Sequence, residues 1–145
     1  MTTALERARK VGADVASKHA DSVDREARFP SEAFAALKAE KLLGIMVPKE
    51  LGGESASIST VSEVCHALGQ FCSSTAMVYA MHQIQVACFV RHGQASAWHR
   101  SFLERLAKEQ LLIASATSEA GIGGDVRSSS CAVELEGDAF KLKKN

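Results

Sequence analysis

The sequence lacks an excess of charge of either sign: 17 acidic and 17 basic residues cancel at neutral pH. No basic face stands out, which argues against nucleic acid as a partner. The mixed charges read as an ordinary solvated surface. Cysteine is sparse, and Cys65, Cys72, Cys88 and Cys131 form no CxxC pair. Cys65 and Cys72 sit two turns apart on an expected helix, about 10 Å, which is too far for a disulfide. Buried free thiols in a reducing cytosol are the expectation. An apolar leader is also missing, because Met1 to Lys10 is charged and helical in pattern, unlike a signal peptide. The longest apolar run, Ala76 to Val90, is interrupted by His82, Gln83 and Gln85 and is too short to span a bilayer. No membrane span and a cytoplasmic location are expected.

Several catalytic signatures are missing too. The five histidines show no metal-ligand spacing: there is no HExxH, and His92 and His99 are too far apart in sequence. His82, inside the longest apolar run, reads as a hydrogen-bonded core histidine. There is no GxSxG elbow and no Walker lysine after the glycines. Ser73-Ser74 reads as a helix boundary and Ser128-Ser129-Ser130 as a strand entry. Neither an internal repeat nor a low-complexity segment occurs.

What is present is a chain of 145 residues, 46% hydrophobic and 23% charged, enough for one globular domain or one domain and the start of another. Leu5, Ala8, Val11 and Val15 predict a first helix over about Thr3 to Ala20, followed by a charged stretch from Asp21 to Arg28. Phe29-Pro30-Ser31-Glu32 starts a second helix, carried by Phe34, Leu37 and Leu42 and stopped by Gly44. Ile45 to Ser57, with Pro48, Gly52 and Gly53, is a loop. Ile58, Val61, Val64, Cys65, Leu68 and Phe71 give a third helix, and the pair Thr60 and Glu63 predicts a capping box. A fourth, about Thr75 to Arg91, is apolar on nearly every side and should be buried in a bundle. A fifth runs from about Gln94 to Lys108, with Trp98, Phe102 and Leu106 on one face.

The period then changes. Leu111 to Thr117 predicts a short strand. Cys131, Val133 and Leu135 alternate with polar neighbours, Gly137-Asp138 makes a turn, and Phe140 and Leu142 alternate with lysines, which predicts a hairpin. The fold class is α+β: an all-α helical domain over residues 1–110, then the first strands of a β domain over 111–145. The last strand has nothing to close its sheet, as in a fragment.

One stretch draws chemical interest: Thr117-Ser118-Glu119-Ala120-Gly121-Ile122-Gly123-Gly124-Asp125. Its glycines allow positive φ and close approach of a ligand to the backbone. Such loops offer N–H groups to anionic or carbonyl oxygens. The segment after it has period two, which excludes a Rossmann fingerprint, since that needs a helix there. On the residues alone, a ligand loop and a plain glycine-rich interstrand turn both stay open.

Three segments together resemble the acyl-CoA dehydrogenase family, in register over nearly the whole chain. They are the helix from Phe29-Pro30 to Leu43-Gly44, the Val47-Pro48-Lys49-Glu50-Leu51-Gly52-Gly53 loop, similar to the family's P-x-x-x-G-G, and Ser118 to Asp125, similar to its T-E-P-G-A-G-S-D. The resemblance implies an FAD-dependent oxidoreductase that desaturates acyl thioesters and passes hydride to the flavin. It implies that Ser115, Thr117 and Ser118 contact the flavin ring, and that Met77, Ala80, Met81 and Ile84 line an acyl-chain pocket. It further implies an acyl-CoA or related substrate, an electron acceptor that is a protein or oxygen, and a homo-oligomer at full length. The family's catalytic base lies in a C-terminal helical domain, beyond Asn145, so no carboxylate here is assigned as the base and the chain alone should be inactive. Ala120 stands where the family has proline. Gly124 stands where it has a serine that helps hold the thioester, which brings in flavin-dependent monooxygenases of the same fold as a second reading. A helical binding module without chemistry is a third.

Overall fold

The computed structural model describes residues 2–93, 95–116, 119, 123–125, 127, 129–131 and 133–142. The chain divides into two compact units, Met1–Ala114 and Ser115–Asn145. The first is helical and the second carries an antiparallel strand pair.

The opening helix is fixed by a capping box. Thr3 Oγ1 accepts the Glu6 amide at 3.2 Å, and Glu6 Oε2 accepts the Thr3 amide at 2.7 Å. The Thr3 amide, and then its hydroxyl, hold the Glu6 carboxyl below the usual carboxylate range. Helix α1 (Ala4–Val11) runs through a π-helical turn, Gly12–Ala16, into α2 (Ser17–Arg25) without leaving helical backbone. The helix therefore passes Ala20 and takes in most of the charged stretch. The reason is Val23, which is buried there and extends the apolar face. Gly12 sits against Phe71, and a Cβ at Gly12 would overlap that ring.

Helix α3 (Ser31–Ala39) ends earlier than Gly44. Its stop is Lys41, at φ 55. The Leu42 amide bonds to the Leu37 carbonyl at 2.9 Å and the Lys41 amide to the Lys38 carbonyl at 3.0 Å, a Schellman cap built without glycine. Ala27 and Gln110 likewise take positive φ where α2 and the last helix end. Gly44 serves a different purpose: a Cβ there would lie 2.9 Å from the Ala107 Cα. The expected loop from Ile45 to Ser57 is present, with one 3-10 turn at Lys49–Leu51.

Helix α4 (Ile58–Gly69) is capped by Ser57, whose Oγ accepts the Thr60 amide at 3.1 Å, so Thr60 is the capped residue and not the cap. Helix α5 (Ser73–His92) starts at Cys72, and α6 (Ala97–Glu109) at Ser96. Phe34, Leu37, Leu42, Leu43, Val64, Leu68 and Tyr79 share one core, and Val47, Leu51, Val86, Leu103 and Leu106 a second. On α6 the inward residues are Leu103, Leu106 and Ala107, whereas Trp98 is exposed and stacks on Phe102 at 5.6 Å between ring centroids.

The strand expected from Leu111 does not form over 111–116, which hold no regular element; Thr117 lies outside the described residues. Leu111 and Ile113 pack on the α6 core, and a side chain, not a neighbouring strand, takes the Ile113 amide. The hairpin is present as β1 (Val133–Glu136) and β2 (Ala139–Leu142). Its register pairs Val133 with Leu142 and Leu135 with Phe140, while Glu134 faces Lys141 as an opposite-charge pair. Among the described residues no disulfide forms. Cys72 is buried, Cys65 and Cys131 are half-buried and Cys88 is exposed, so the expectation of buried thiols holds fully only at Cys72 and fails outright at Cys88, on the outer side of α5.

Candidate functional site

Helix α5 carries the site in the helical unit, and its two faces differ in an unexpected way. Thr75, Tyr79, His82, Gln83 and Val86 point inward and are buried. The opposite stripe is also apolar but uncovered: Met77 is 63% exposed, Met81 39% and Ile84 53%. The helix was expected to be buried all round; instead an apolar face lies open because polar residues, not apolar ones, fill the inner face at positions 82 and 83.

Beside that stripe runs an apolar groove of about 200 Å³ between α4 and α5. Ala80, Ile84 and Ala87 form its α5 wall, Ile58, Val61 and Cys65 its α4 wall, and Met46 also lines it. Of the four residues singled out on α5, Ala80 and Ile84 lie in this groove; Met77 and Met81 are outside its lining, on the adjoining exposed face. Burial raises the Cys65 thiol above its ordinary value, so the groove wall stays uncharged there.

Under the groove lies a buried polar clamp. Leu42, Leu43, Ile45 and Val47 are fully buried although they belong to a loop, and a loop so placed must pair its backbone groups. Tyr79 Oη donates to the Leu42 carbonyl at 2.9 Å, and Gln83 Nε2 to the Leu42 and Leu43 carbonyls at 3.2 and 3.1 Å. Gln110 Oε1 accepts the Leu43 amide at 2.9 Å, while its Nε2 donates to the Ala107 carbonyl at 2.7 Å. His82 uses both ring nitrogens: Nδ1 accepts the Ile113 amide at 3.1 Å, so Nε2 carries the proton and donates to the Leu43 carbonyl at 2.9 Å. Burial pushes the His82 pKa below its ordinary value, against the pull of the Leu43 carbonyl. The Tyr79 phenol is driven upward, chiefly by burial. The reading of His82 as a core histidine holds; Gln83, Gln110 and Ile113 were not singled out, because periodicity reports burial and not the partners of a buried amide.

In the second unit Ser115 is half-buried, and Thr117 and Ser118 lie outside the described residues. Gly123 and Gly124 take φ 54 and 87, both left-handed, and among the described residues a Cβ at either would meet nothing within 4 Å. Glu119 staples the loop: its carboxylate accepts Ser129 Oγ at 2.7 Å, the Ser130 amide at 2.6 Å and Ser130 Oγ at 3.0 Å. Ser129 and Ser130, read earlier only as a strand entry, are the partners of that carboxylate. Among the described residues no group of three His, Cys, Asp or Glu side chains is placed to hold a metal ion. No helix among them is long and apolar enough to cross a membrane.

The family profile described as acyl-CoA dehydrogenase, N-terminal domain, matches residues 2–110. A probable acyl-CoA dehydrogenase of Mycobacterium leprae is 31% identical over 124 residues, covering 86% of this chain and 32% of that protein. An acryloyl-CoA reductase (NADH) of Anaerotignum propionicum is 30% identical over 106 residues, 73% of this chain and 27% of its own length. A cyclohex-1-ene-1-carbonyl-CoA dehydrogenase of Syntrophus aciditrophicus is 26% identical over 139 residues, 95% of this chain and 33% of its own. The chain spans about a third of the length of these relatives.

Proposed function

The chain belongs to the acyl-CoA dehydrogenase family, as its N-terminal domain, and on that premise we propose that it is the N-terminal portion of an FAD-dependent oxidoreductase that desaturates acyl thioesters. The observation that carries the proposal is the apolar groove between α4 and α5. At about 200 Å³ it is smaller than the roughly 300–1,000 Å³ of a complete ligand pocket, and so it suits the alkyl part of a substrate whose remainder is held elsewhere. Ala80 and Ile84 present hydrocarbon to that chain. The names of these three relatives all refer to CoA esters, which supports a thioester substrate.

FAD, when bound, supplies the hydride acceptor. The resemblance gives such a group the backbone at Ser115 and Thr117 and the hydroxyl of Ser118, which can both donate and accept, and Gly123 and Gly124 add backbone that carries no side chain. Ser115, Thr117 and Ser118 are assigned to the ring, with Met77 and Met81 continuing the apolar surface beside the groove. Glu119 ties its own position to Ser129 and Ser130 through its carboxylate. No carboxylate of this chain is assigned as the base that removes the α-proton. The expected partners of the full-length protein would be an acceptor protein or oxygen for the electrons and further copies of itself in a homo-oligomer.

Gly124 favours a second reading, a flavin-dependent monooxygenase of the same fold, since a serine that would hold the thioester is replaced. The test is to purify the protein at its full natural length with FAD and titrate it anaerobically with acyl-CoAs. Bleaching of the flavin absorbance supports desaturation. An oxygenated product formed with a reductant and oxygen supports the second reading. A protein that takes up no FAD overturns both.

A further inference from the structure

We infer that His82 is a positioning residue that fixes where the chain leaves the helical unit, and through it the start of the flavin-contacting segment. The inference rests on the reading of residues 115–125 as that segment.

The strut has two ends. One is the Leu43 carbonyl, 2.9 Å from Nε2. That carbonyl is itself held, because Gln83 Nε2 donates to it and the Leu43 amide is taken by Gln110. The other end is the Ile113 amide, 3.1 Å from Nδ1. Ile113 lies past the end of α6, in a stretch with no regular element, two residues before Ser115. A stretch outside helix and sheet has no ladder to define its course, so a bond from a fully buried side chain defines it instead. The two bonds run in opposite senses. The ring must accept on Nδ1 and donate from Nε2, which only the neutral Nε2–H tautomer does. The ring's donor and acceptor thus tie together two backbone segments 70 residues apart, at Leu43 and Ile113.

Two substitutions separate the ends. Asparagine places an acceptor near the Nδ1 position and loses the donor to Leu43. Glutamine reaches the Leu43 carbonyl with its amide and loses the acceptor for Ile113. Both lower the melting temperature. In the FAD-bound protein at full natural length, His82→Gln is expected to raise the FAD dissociation constant about tenfold, the worth of one hydrogen bond, and to shift the flavin reduction potential. His82→Asn should leave both near wild type. The inference is overturned if wild type binds FAD and both variants match it in affinity and potential, or if His82→Asn is as impaired as His82→Gln. Nitrogen NMR of the wild-type ring needs neither variant to fold. An unprotonated Nδ1 coupled to the Ile113 amide is expected, and a protonated Nδ1 would refute the strut. Wild-type protein that binds no FAD removes the flavin reading and this inference together.

Discussion

The Val47 carbonyl occupies the place that a Cβ on Gly53 would take. The contact closes the Pro48–Gly53 turn, in which the Gly53 amide bonds to the Pro48 carbonyl at 3.1 Å and the Ser55 amide to the Val47 carbonyl at 2.9 Å. Gly52, next to it, has a different constraint: φ is 88, but a Cβ there would sit 3.8 Å from the nearest atom, the Ala107 Cβ. Gly53→Ala must push backbone apart and should cost about 3 kcal/mol. Gly52→Ala pays only for its left-handed backbone, about 1 kcal/mol. Chemical denaturation of the two variants checks the order, and equal losses would contradict the steric account.

His82 makes stability depend on pH in a defined direction. Its folded pKa lies below the ordinary 6.5 because burial disfavours the cation. Between the folded and unfolded values the unfolded chain binds more protons, so stability rises with pH there. The contribution is complete above about pH 6.5 and declines as pH falls toward the folded value. Denaturation curves from pH 7.5 down to 5 should show this loss, and His82→Asn should lack that part of the slope. Parallel curves for the two proteins would rule out the assignment.

The open face of α5 should drive self-association of this chain. Met77 and Ile84 are both more than half exposed on one stripe, and contiguous exposed apolar surface marks an interaction site. Light scattering of the 145-residue chain should report a mass above the monomer's 15.5 kDa, and the double change Met77→Lys, Ile84→Lys should restore the monomer. A wild-type monomer at tens of micromolar would count against this.

At Gly124 two effects oppose each other. A serine there would regain a hydrogen bond to a thioester, roughly 0.5–1.5 kcal/mol. It would also have to adopt φ 87, at a cost of about 1–2 kcal/mol. Gly124→Ser should therefore lower the stability of the free protein by about 1–2 kcal/mol, and tighten acyl-CoA binding only if the substrate is a thioester. Flavin absorbance during acyl-CoA titration reads the second effect. Tighter binding supports desaturation, and unchanged or weaker binding shifts weight to the monooxygenase reading.

The helices were legible because apolar residues recur at helical spacing, and the hairpin because Val133, Leu135, Phe140 and Leu142 alternate with charges. Helix ends were less legible. Ala27, Lys41 and Gln110 hold the left-handed positions that glycine usually fills, so nothing in the residue types announces them. The open face of α5 was hidden for a related reason: a helix with apolar residues on both sides gives no sign of which side is covered, and Tyr79, His82 and Gln83 go inward because the Leu42–Leu43 turn needs donors. The groove inherits that choice, which turns Ala80 and Ile84 toward α4.

The buried turn at Leu42–Leu43 also says something about the order of folding. Its partners are distant in sequence, 37 residues away at Tyr79 and 67 at Gln110. Local helix formation can precede such contacts, but the turn cannot be sealed until α5 and the end of α6 have docked. The Leu43 amide, buried and held by Gln110, is therefore exposed only when the end of α6 undocks from the turn, so its exchange with deuterium measures opening of the packed helical unit and not fraying of a loop.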